Sequence, residues 1–176
     1  MIITISGKNG SGKSTIAKEL AKSLGLKHKS SGDFFRDLAK EKGLSFDELG
    51  KLADKDPKID NEIDNKQKRF GEIENNFVMD GRLSFFFIPH SFKIFLDVSD
   101  RVAAERIFKE GRSEEHYLSL KDAEYKLRER NDSLRKRFLS KYNVDYCDFK
   151  NYDLVIDTTK MPIKVIKDKI LRTLGK

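Results

Sequence analysis

At 176 residues, of which 38% are hydrophobic and 37% charged, the chain fits one soluble domain with a single core, and its longest apolar runs fall far short of the roughly 20 residues that span a membrane. Its formal net charge of +7 suits a protein that binds small polyanions such as nucleotides, because basic and acidic residues alternate along most of the chain instead of forming a nucleic-acid stripe. A single cysteine, Cys147, excludes an intramolecular disulfide and a thiolate metal cluster.

The chain begins with an apolar run that predicts a β-strand and is shorter than the apolar segment of about 7–15 residues in a secretory signal, so we expect a cytoplasmic protein. Five short runs in the chain look like strands, and they alternate with helical patterns. The predicted strands are Ile2–Ser6, Lys27–Ser30, Phe77–Asp80, Phe92–Val98 and Asp153–Asp157. The predicted helices are Ser14–Leu24, Asp33–Lys42, Ser45–Asp54, Asp60–Phe70, Arg101–Lys109, Leu120–Tyr142 and Pro162–Leu174. This alternation predicts one α/β domain, residues 1–176, with a five-stranded parallel sheet flanked by helices.

Two segments are longer than a connection between parallel strands requires. Three helices lie between the second and third predicted strands, and we interpret residues 33–70 as a helical insertion. Within it, Ser45 followed by Glu48 predicts a capping box. Residues 108–130 are interpreted as a lid. Both segments follow strands whose carboxyl ends face the crevice where open α/β sheets bind ligands, so both are expected to cover a site.

Residues 7–14 fit the phosphate-binding pattern G-x-x-x-x-G-K-[ST], between an apolar strand and an amphipathic helix. Glycines let consecutive backbone N–H groups point into one concavity, and the helix N-terminus adds partial positive charge. Lys13 would reach the β- and γ-phosphates of ATP, and the Ser14 hydroxyl would bind Mg²⁺. The predicted ATP-binding residues of this loop are Gly7, Lys8, Asn9, Gly10, Ser11, Gly12, Lys13, Ser14 and Thr15.

Asp80 ends the third predicted strand, beside the loop of the first strand. A carboxylate at that place can hold Mg²⁺ through water; the alternative is that Asp80 only forms a turn with the glycine that follows. The histidines His28, His90 and His116 lack the spacing of metal ligands, and we interpret them as surface or packing residues.

The phosphate loop does not identify the acceptor, because GTPases, helicases, ATPases and small-molecule kinases share it. A GTPase should carry an N-K-x-D motif, and the nearest match, residues 65–68, lacks the aspartate and lies in the helical insertion. Large ATPase modules need a longer chain. The remaining class is the kinases with a nucleotide-sized second substrate.

Beyond the phosphate loop, the sequence resembles the nucleoside monophosphate kinases, most closely the short archaeal-type cytidylate kinases. Residues 31–39, SGDFFRDLA, are similar to the family signature S-G-D-x-[FL]-R-x-[LM]-A, and residues 81–83 match its G-R-L element. Residues 152–158 resemble the last strand and the start of the adenine-side loop. The order and spacing of these elements make the match specific along nearly the whole chain.

The resemblance implies ATP-dependent phosphoryl transfer to a nucleoside monophosphate, CMP or dCMP, in pyrimidine metabolism, with Mg²⁺ as cofactor. It implies that the insertion binds the acceptor, that Arg106 lies beside ATP, and that Arg130 and Arg137 join Lys13 around the transferred phosphate. The implied acceptor-binding residues are Gly32, Asp33, Arg36, Asp60, Asp64, Gln67 and Arg82. The expected partners are ATP and a nucleoside monophosphate. We expect the protein to be a monomer that binds neither a membrane nor nucleic acid.

One feature of the predicted long helix agrees with an arginine at the site. Arg130 lies on the same stripe as Ala123, Leu127 and Leu134. An arginine that points inward needs an anionic partner; the alternatives are a snorkelling side chain or an internal ion pair.

The chain departs from the family at three places. Lys8 and Asn9 stand where two prolines are frequent, and residues 84–87, SFFF, replace a small-residue and Trp pattern. Leu134 stands where longer relatives carry an acid that contacts the ribose, and Asp132 lies on another side of the helix. These differences concern the substrate more than the reaction, so an adenylate kinase or another small-molecule kinase stays an alternative. A non-catalytic nucleotide-binding or RNA-associated protein is the third hypothesis.

Overall fold

The computed structural model describes residues 1–53, 55–110 and 117–176 of the chain. Its strands are β1 (Ile2–Gly7), β2 (Lys27–Ser30), β3 (Phe77–Asp80), β4 (Phe92–Asp97) and β5 (Leu154–Asp157). They pair in parallel in the order β2-β3-β1-β4-β5. The predicted five-stranded parallel sheet is therefore confirmed, with β1 at its centre.

Helices cover both faces of this sheet. They are α1 (Lys13–Leu24), α2 (Ser31–Glu41), α3 (Phe46–Ala53), α4 (Pro57–Ile73), α5 (Ser84–Phe87), α6 (Asp100–Glu110), α7 (Leu120–Tyr142) and α8 (Ile163–Thr173), with a 3₁₀ turn at Phe149–Asn151. The sequence did not predict α5 and the 3₁₀ turn, because such short segments show no helical period. No helix within the described ranges is long and apolar enough to cross a membrane.

The helices α2 and α4 begin two and three residues earlier than predicted because side chains cap them. The hydroxyl of Ser30 accepts a hydrogen bond from the backbone N–H of Asp33, and the carboxylate of Asp33 accepts one from the backbone N–H of Ser30. This capping box extends α2 back to Ser31. Similarly, Asp56 accepts a bond from the first turn of α4, which starts at Pro57.

The predicted capping box in the insertion is confirmed. Ser45 accepts a hydrogen bond from the backbone N–H of Glu48, whose carboxylate accepts one from the backbone N–H of Ser45. The prediction that Pro162 lies in the first turn of the last helix is wrong by one residue. Pro162 has extended backbone angles and occupies the cap position before Ile163. Asp54, the predicted end of the second insertion helix, lies outside the described residues.

The side chains of β3 alternate between two apolar clusters, as expected for a sheet with both faces covered. Phe77 and Met79 pack with side chains of α2, α4 and α5, whereas Val78 packs on the opposite face against α1 and α8. A smaller cluster joins α6 to the first half of α7 through Ala104, Ile107, Ala123 and Leu127. The second half of α7 packs against the α4 side of the sheet through Phe138 and Tyr142.

Two glycines in the helices between β2 and β3 differ in the space around them. A Cβ on Gly71 in α4 would lie 2.8 Å from Cγ1 of the buried Ile88, whereas a Cβ on Gly50 in α3 would meet no atom of the described residues within 4 Å. Alanine gains about 1 kcal/mol of helix propensity over glycine at either position. The clash at Ile88 should cost about 1–3 kcal/mol.

We therefore expect Gly71→Ala to be less stable than Gly50→Ala by about 1–3 kcal/mol, as measured by urea denaturation of both variants and the parent chain. Equal stabilities of the two variants would show that α4 can move away from Ile88.

Candidate active site

A cavity of about 750 Å³ opens at the carboxyl edge of the sheet. The loop after β1, the start of α2 and the end of β3 meet there because parallel strands end at the same edge. Its lining residues are Asn9, Gly10, Ser11, Gly12, Lys13, Ser14, Thr15, Ile16, Ser30, Ser31, Gly32, Arg36, Asp80, Gly81, Arg82, Arg106, Met161, Pro162, Ile163 and Ile166. Most of the predicted ATP-binding residues are among them.

The loop after β1 has the backbone of a phosphate-binding loop. Gly10 and Gly12 have positive φ angles of 74° and 85°, and a Cβ on Gly7 would lie 2.1 Å from the carbonyl oxygen of Leu96. No side chain of the described residues caps the start of α1, so its first N–H groups can bind an anion. The hydroxyl of Ser11 is also buried without a hydrogen-bond partner in the described part of the protein. These features fit a loop that binds phosphate.

Lys13 folds back over this loop, and its ammonium group donates a 2.7 Å hydrogen bond to the carbonyl oxygen of Lys8. Lys8 points to the other side, where its ammonium lies 2.8 Å from Oδ1 of Asp97. Gly7 and Lys8 therefore shape the loop from outside the cavity, whereas Lys13 stands at the cavity itself.

Asp80 is the buried carboxylate of the site, with 5% of its surface exposed. The Ser14 hydroxyl donates to Oδ2 of Asp80 at 2.6 Å, and Nε2 of His28 lies 2.7 Å from Oδ1. The sequence predicted that Ser14 and Asp80 lie together, and they do. The interpretation of His28 as a surface or packing residue did not foresee this contact, which forms because β2 lies beside β3 and brings the imidazole to the carboxylate.

The pair of Ser14 and Asp80 fits a Mg²⁺ site that a bound nucleotide completes. Mg²⁺ prefers oxygen ligands and is held by one or two protein groups together with phosphate oxygens and water. Within the described residues, no three His, Cys, Asp or Glu side chains cluster in a way that could hold a metal ion. The ion would therefore depend on the nucleotide for most of its ligands.

Two arginines with predicted acceptor roles line the cavity. Arg82 donates a hydrogen bond to Oδ1 of Asn9 in the phosphate loop. Arg36 projects from α2 and donates a 2.6 Å bond to Asp33. Burial raises the pKa of Asp33, but the hydrogen bonds from Arg36 and Ser30 lower it overall, below its ordinary value. Arg36 and Arg82 therefore add positively charged side chains to the lining that also contains Lys13.

Arg106 closes the other side of the loop. Its guanidinium donates to the carbonyl oxygens of Gly10, at 3.1 Å, and Thr158, at 2.7 Å. Thr158 is fully buried, and its hydroxyl lies 2.9 Å from the carbonyl oxygen of Asp97. Met161 and the residues after it add an apolar wall. The arrangement suits a flat base beside a polyphosphate.

Other predicted residues lie outside the lining of this cavity. Arg137 of α7 donates to the carboxylate of Asp60 in α4, and Tyr142 donates to Asp64. Burial, opposed by the hydrogen bond from Tyr142, raises the pKa of Asp64. Gln67 is buried in α4. The predicted substrate roles of these residues stay predictions.

Arg130 is exposed, so the expectation that it points inward is wrong for this structure. Ala123 and Leu127 are buried against α6, and α7 contacts α4 from Arg137 onward. Between these two contacts most side chains of α7 are exposed, although the apolar residues follow a helical period. Within the predicted lid, residues 111–116, with His116, lie outside the described residues.

The chain matches the family model described as the cytidylate kinase-like family over residues 2–160. It is 42% identical to the cytidylate kinase of Pyrococcus horikoshii over 162 residues, which cover 91% of this chain and 81% of that protein. It is 42% identical to the cytidylate kinase of Natronomonas pharaonis over 163 residues, covering 92% and 82% of the two chains.

A third relative places a similar sequence within a longer protein. The S-adenosylmethionine-dependent nucleotide dehydratase of Lacinutrix mariniflava is 39% identical over 170 residues, which cover 96% of this chain and 35% of that protein.

Among solved structures, the shikimate kinase from Bacteroides thetaiotaomicron has a TM-score of 0.68 at 16% identity, covering 100% of this chain and 99% of that one. This likeness shows the fold alone.

The phosphate loop gives a direct test of the site. We expect Lys13→Ala to lower phosphoryl-transfer turnover by about 10²–10⁴, because the variant lacks the ammonium group that would neutralise charge on the β- and γ-phosphates. Lys18→Ala, an exposed position on the same helix, is the control. Steady-state ADP release measures the rate, and circular dichroism checks the fold. Near-parental turnover of folded Lys13→Ala would remove Lys13 from the mechanism.

Proposed function

Because the chain belongs to the cytidylate kinase-like family, we propose that this nucleoside monophosphate kinase transfers the γ-phosphoryl group of ATP to CMP or dCMP. The observation that carries the proposal is one cavity lined by Lys13, Ser14, Arg36 and Arg82. These residues supply cationic and hydroxyl groups for two polyanionic substrates. The names and identities of the archaeal relatives support cytidine as the base.

The reaction needs little acid–base chemistry from the protein. The acceptor phosphate is already ionised at neutral pH, so one of its oxygens attacks the γ-phosphorus directly while the bond to the β-bridging oxygen breaks, and ADP leaves with that electron pair. Catalysis then consists of alignment of the two substrates and neutralisation of their charge. Lys13 acts from the donor side, and Arg36 and Arg82 act from the acceptor side.

Ser14 and Asp80 are the side chains that would hold Mg²⁺. When bound, the ion would neutralise part of the negative charge of the nucleotide phosphates. Arg106 orients the donor by its contacts with the loop and with Thr158. Arg130 and Arg137 keep their proposed role on the transferred phosphate only if α7 approaches the cavity, and that closure would also exclude water.

A panel of acceptors tests the proposed function. Purified protein with ATP and Mg²⁺ is assayed for ADP release with CMP, dCMP, UMP, AMP and shikimate. We expect turnover to depend on a cytidine monophosphate. Turnover only with AMP would favour an adenylate kinase, and ADP release that no acceptor stimulates would favour a non-catalytic or regulatory nucleotide-binding protein.

The acceptor side is tested at Arg36. We expect Arg36→Ala to raise the KM for CMP at least tenfold, about 1.4 kcal/mol, with little change in the KM for ATP, because its guanidinium lies on α2 and not on the phosphate loop. Lys40→Ala, one turn further along the same helix and also exposed, is the control. A larger effect on ATP than on CMP would show that Arg36 has been assigned to the wrong substrate.

The sugar preference is tested with the two cytidine acceptors. A site distinguishes ribose from deoxyribose best with a polar partner for the 2′-hydroxyl, and Leu134 offers none. We expect CMP and dCMP to have kcat/KM values within roughly tenfold of each other, about 1.4 kcal/mol, at saturating ATP. A preference for CMP above about a hundredfold would point to another residue, with Asp64 and Gln67 the first to replace.

A further inference from the structure

We infer that His28 is a positioning residue of the metal–nucleotide site, where it fixes the carboxylate of Asp80 so that Ser14 and Asp80 together receive the nucleotide-bound cation. The inference rests on the proposed use of ATP with a divalent cation and does not depend on the acceptor. Nε2 of His28 lies 2.7 Å from Oδ1 of Asp80, and the two side chains are 19% and 7% exposed. The contact is therefore largely shielded from water.

The sheet itself creates this contact. In the parallel pairing of β2 with β3, His28 lies opposite Val78, and Ser30 lies opposite Asp80. Residues opposite one another on neighbouring strands share a face, and Val78 faces α1. His28, Asp80 and the Ser14 side chain of α1 consequently meet in the layer between the sheet and α1.

The donors and acceptors of the three groups can be assigned from their chemistry. An ionised carboxylate only accepts hydrogen bonds, so the Nε2 atom of His28 must carry the proton that faces Oδ1. The Ser14 hydroxyl donates to Oδ2 at 2.6 Å, which leaves its lone pairs for a cation. Each carboxylate oxygen of Asp80 thus has one fixed donor, from β2 on one side and from α1 on the other.

Two fixed donors matter because the terminal torsion of an aspartate is broad when nothing restrains it. Without His28, the carboxylate could turn about its bond and draw the Ser14 hydroxyl with it. Groups that hydrogen-bond to metal-binding side chains typically change metal affinity 10–100-fold when replaced. His28 itself is no candidate ligand, because Mg²⁺ selects oxygen and the imidazole nitrogen is occupied by Asp80.

The test measures metal binding and not only activity. Mn²⁺ affinity is determined by electron paramagnetic resonance for the whole chain saturated with a non-hydrolysable ATP analogue, and the analogue's own affinity is measured in EDTA. We expect His28→Ala to weaken Mn²⁺ binding about 10–100-fold, with the metal-free affinity for the analogue within about threefold. His90→Ala, at an exposed histidine away from the cavity, is the control and should match the parent.

Two amide variants separate the hydrogen bond from packing and keep the test usable where the alanine variant unfolds. The amide nitrogen of His28→Gln can occupy the place of Nε2, whereas that of the shorter His28→Asn cannot. We expect Gln to recover most of the Mn²⁺ affinity and Asn to resemble Ala. Parental Mn²⁺ affinity in folded His28→Asn, or equal losses in Gln and Asn, would overturn the inference. If these differences hold while no cytidine monophosphate is phosphorylated, only the proposed acceptor is refuted.

Discussion

Asp80 lies buried at the carboxyl end of β3, where its two oxygens are held by Ser14 and His28. A buried charge must be paired or hydrogen-bonded, since leaving it without partners costs several kcal/mol. This requirement places three conditions on the fold: β2 must lie beside β3, β3 must lie beside β1, and α1 must start over the sheet edge. The strand order with β1 at the centre and β3 next to it meets all three conditions. The cavity follows from that arrangement, because the phosphate loop and the carboxylate then end at the same edge.

Two arginines hold the phosphate loop. Arg82 donates to Oδ1 of Asn9, and Arg106 donates to the carbonyl oxygen of Gly10. Groups fixed before the substrates arrive need not be ordered during the reaction, which favours alignment of the two phosphates. The contact between Arg82 and Asn9 therefore joins the phosphate loop to the segment that follows β3.

The second half of α7 shows a different balance. Arg137 binds Asp60 of the insertion, with side-chain exposures of 48% and 22%. Ion pairs at such exposure contribute about 0–1 kcal/mol, so a phosphate group could replace Asp60 as the partner of Arg137 at small cost. Buried apolar contacts hold the first half of α7 on α6, and Phe138 and Tyr142 give the second half apolar contacts as well. Any approach of α7 to the cavity would therefore break apolar as well as polar contacts.

Local sequence patterns determined much of this protein. The strand-like runs predicted both ends of β2 and β3, the helical period predicted α7 from Leu120 to Tyr142, and the glycine pattern located the phosphate loop. These features depend on neighbours within a few residues, through backbone hydrogen bonds and φ preferences that the sequence shows directly. The exposure of Arg130, the bond between Arg137 and Asp60 and the contact between His28 and Asp80 were decided by tertiary structure alone. The two residues of each contact are far apart in the chain, 52 residues for His28 and Asp80 and 77 for Arg137 and Asp60. Only the strand order and the helix packing bring them together.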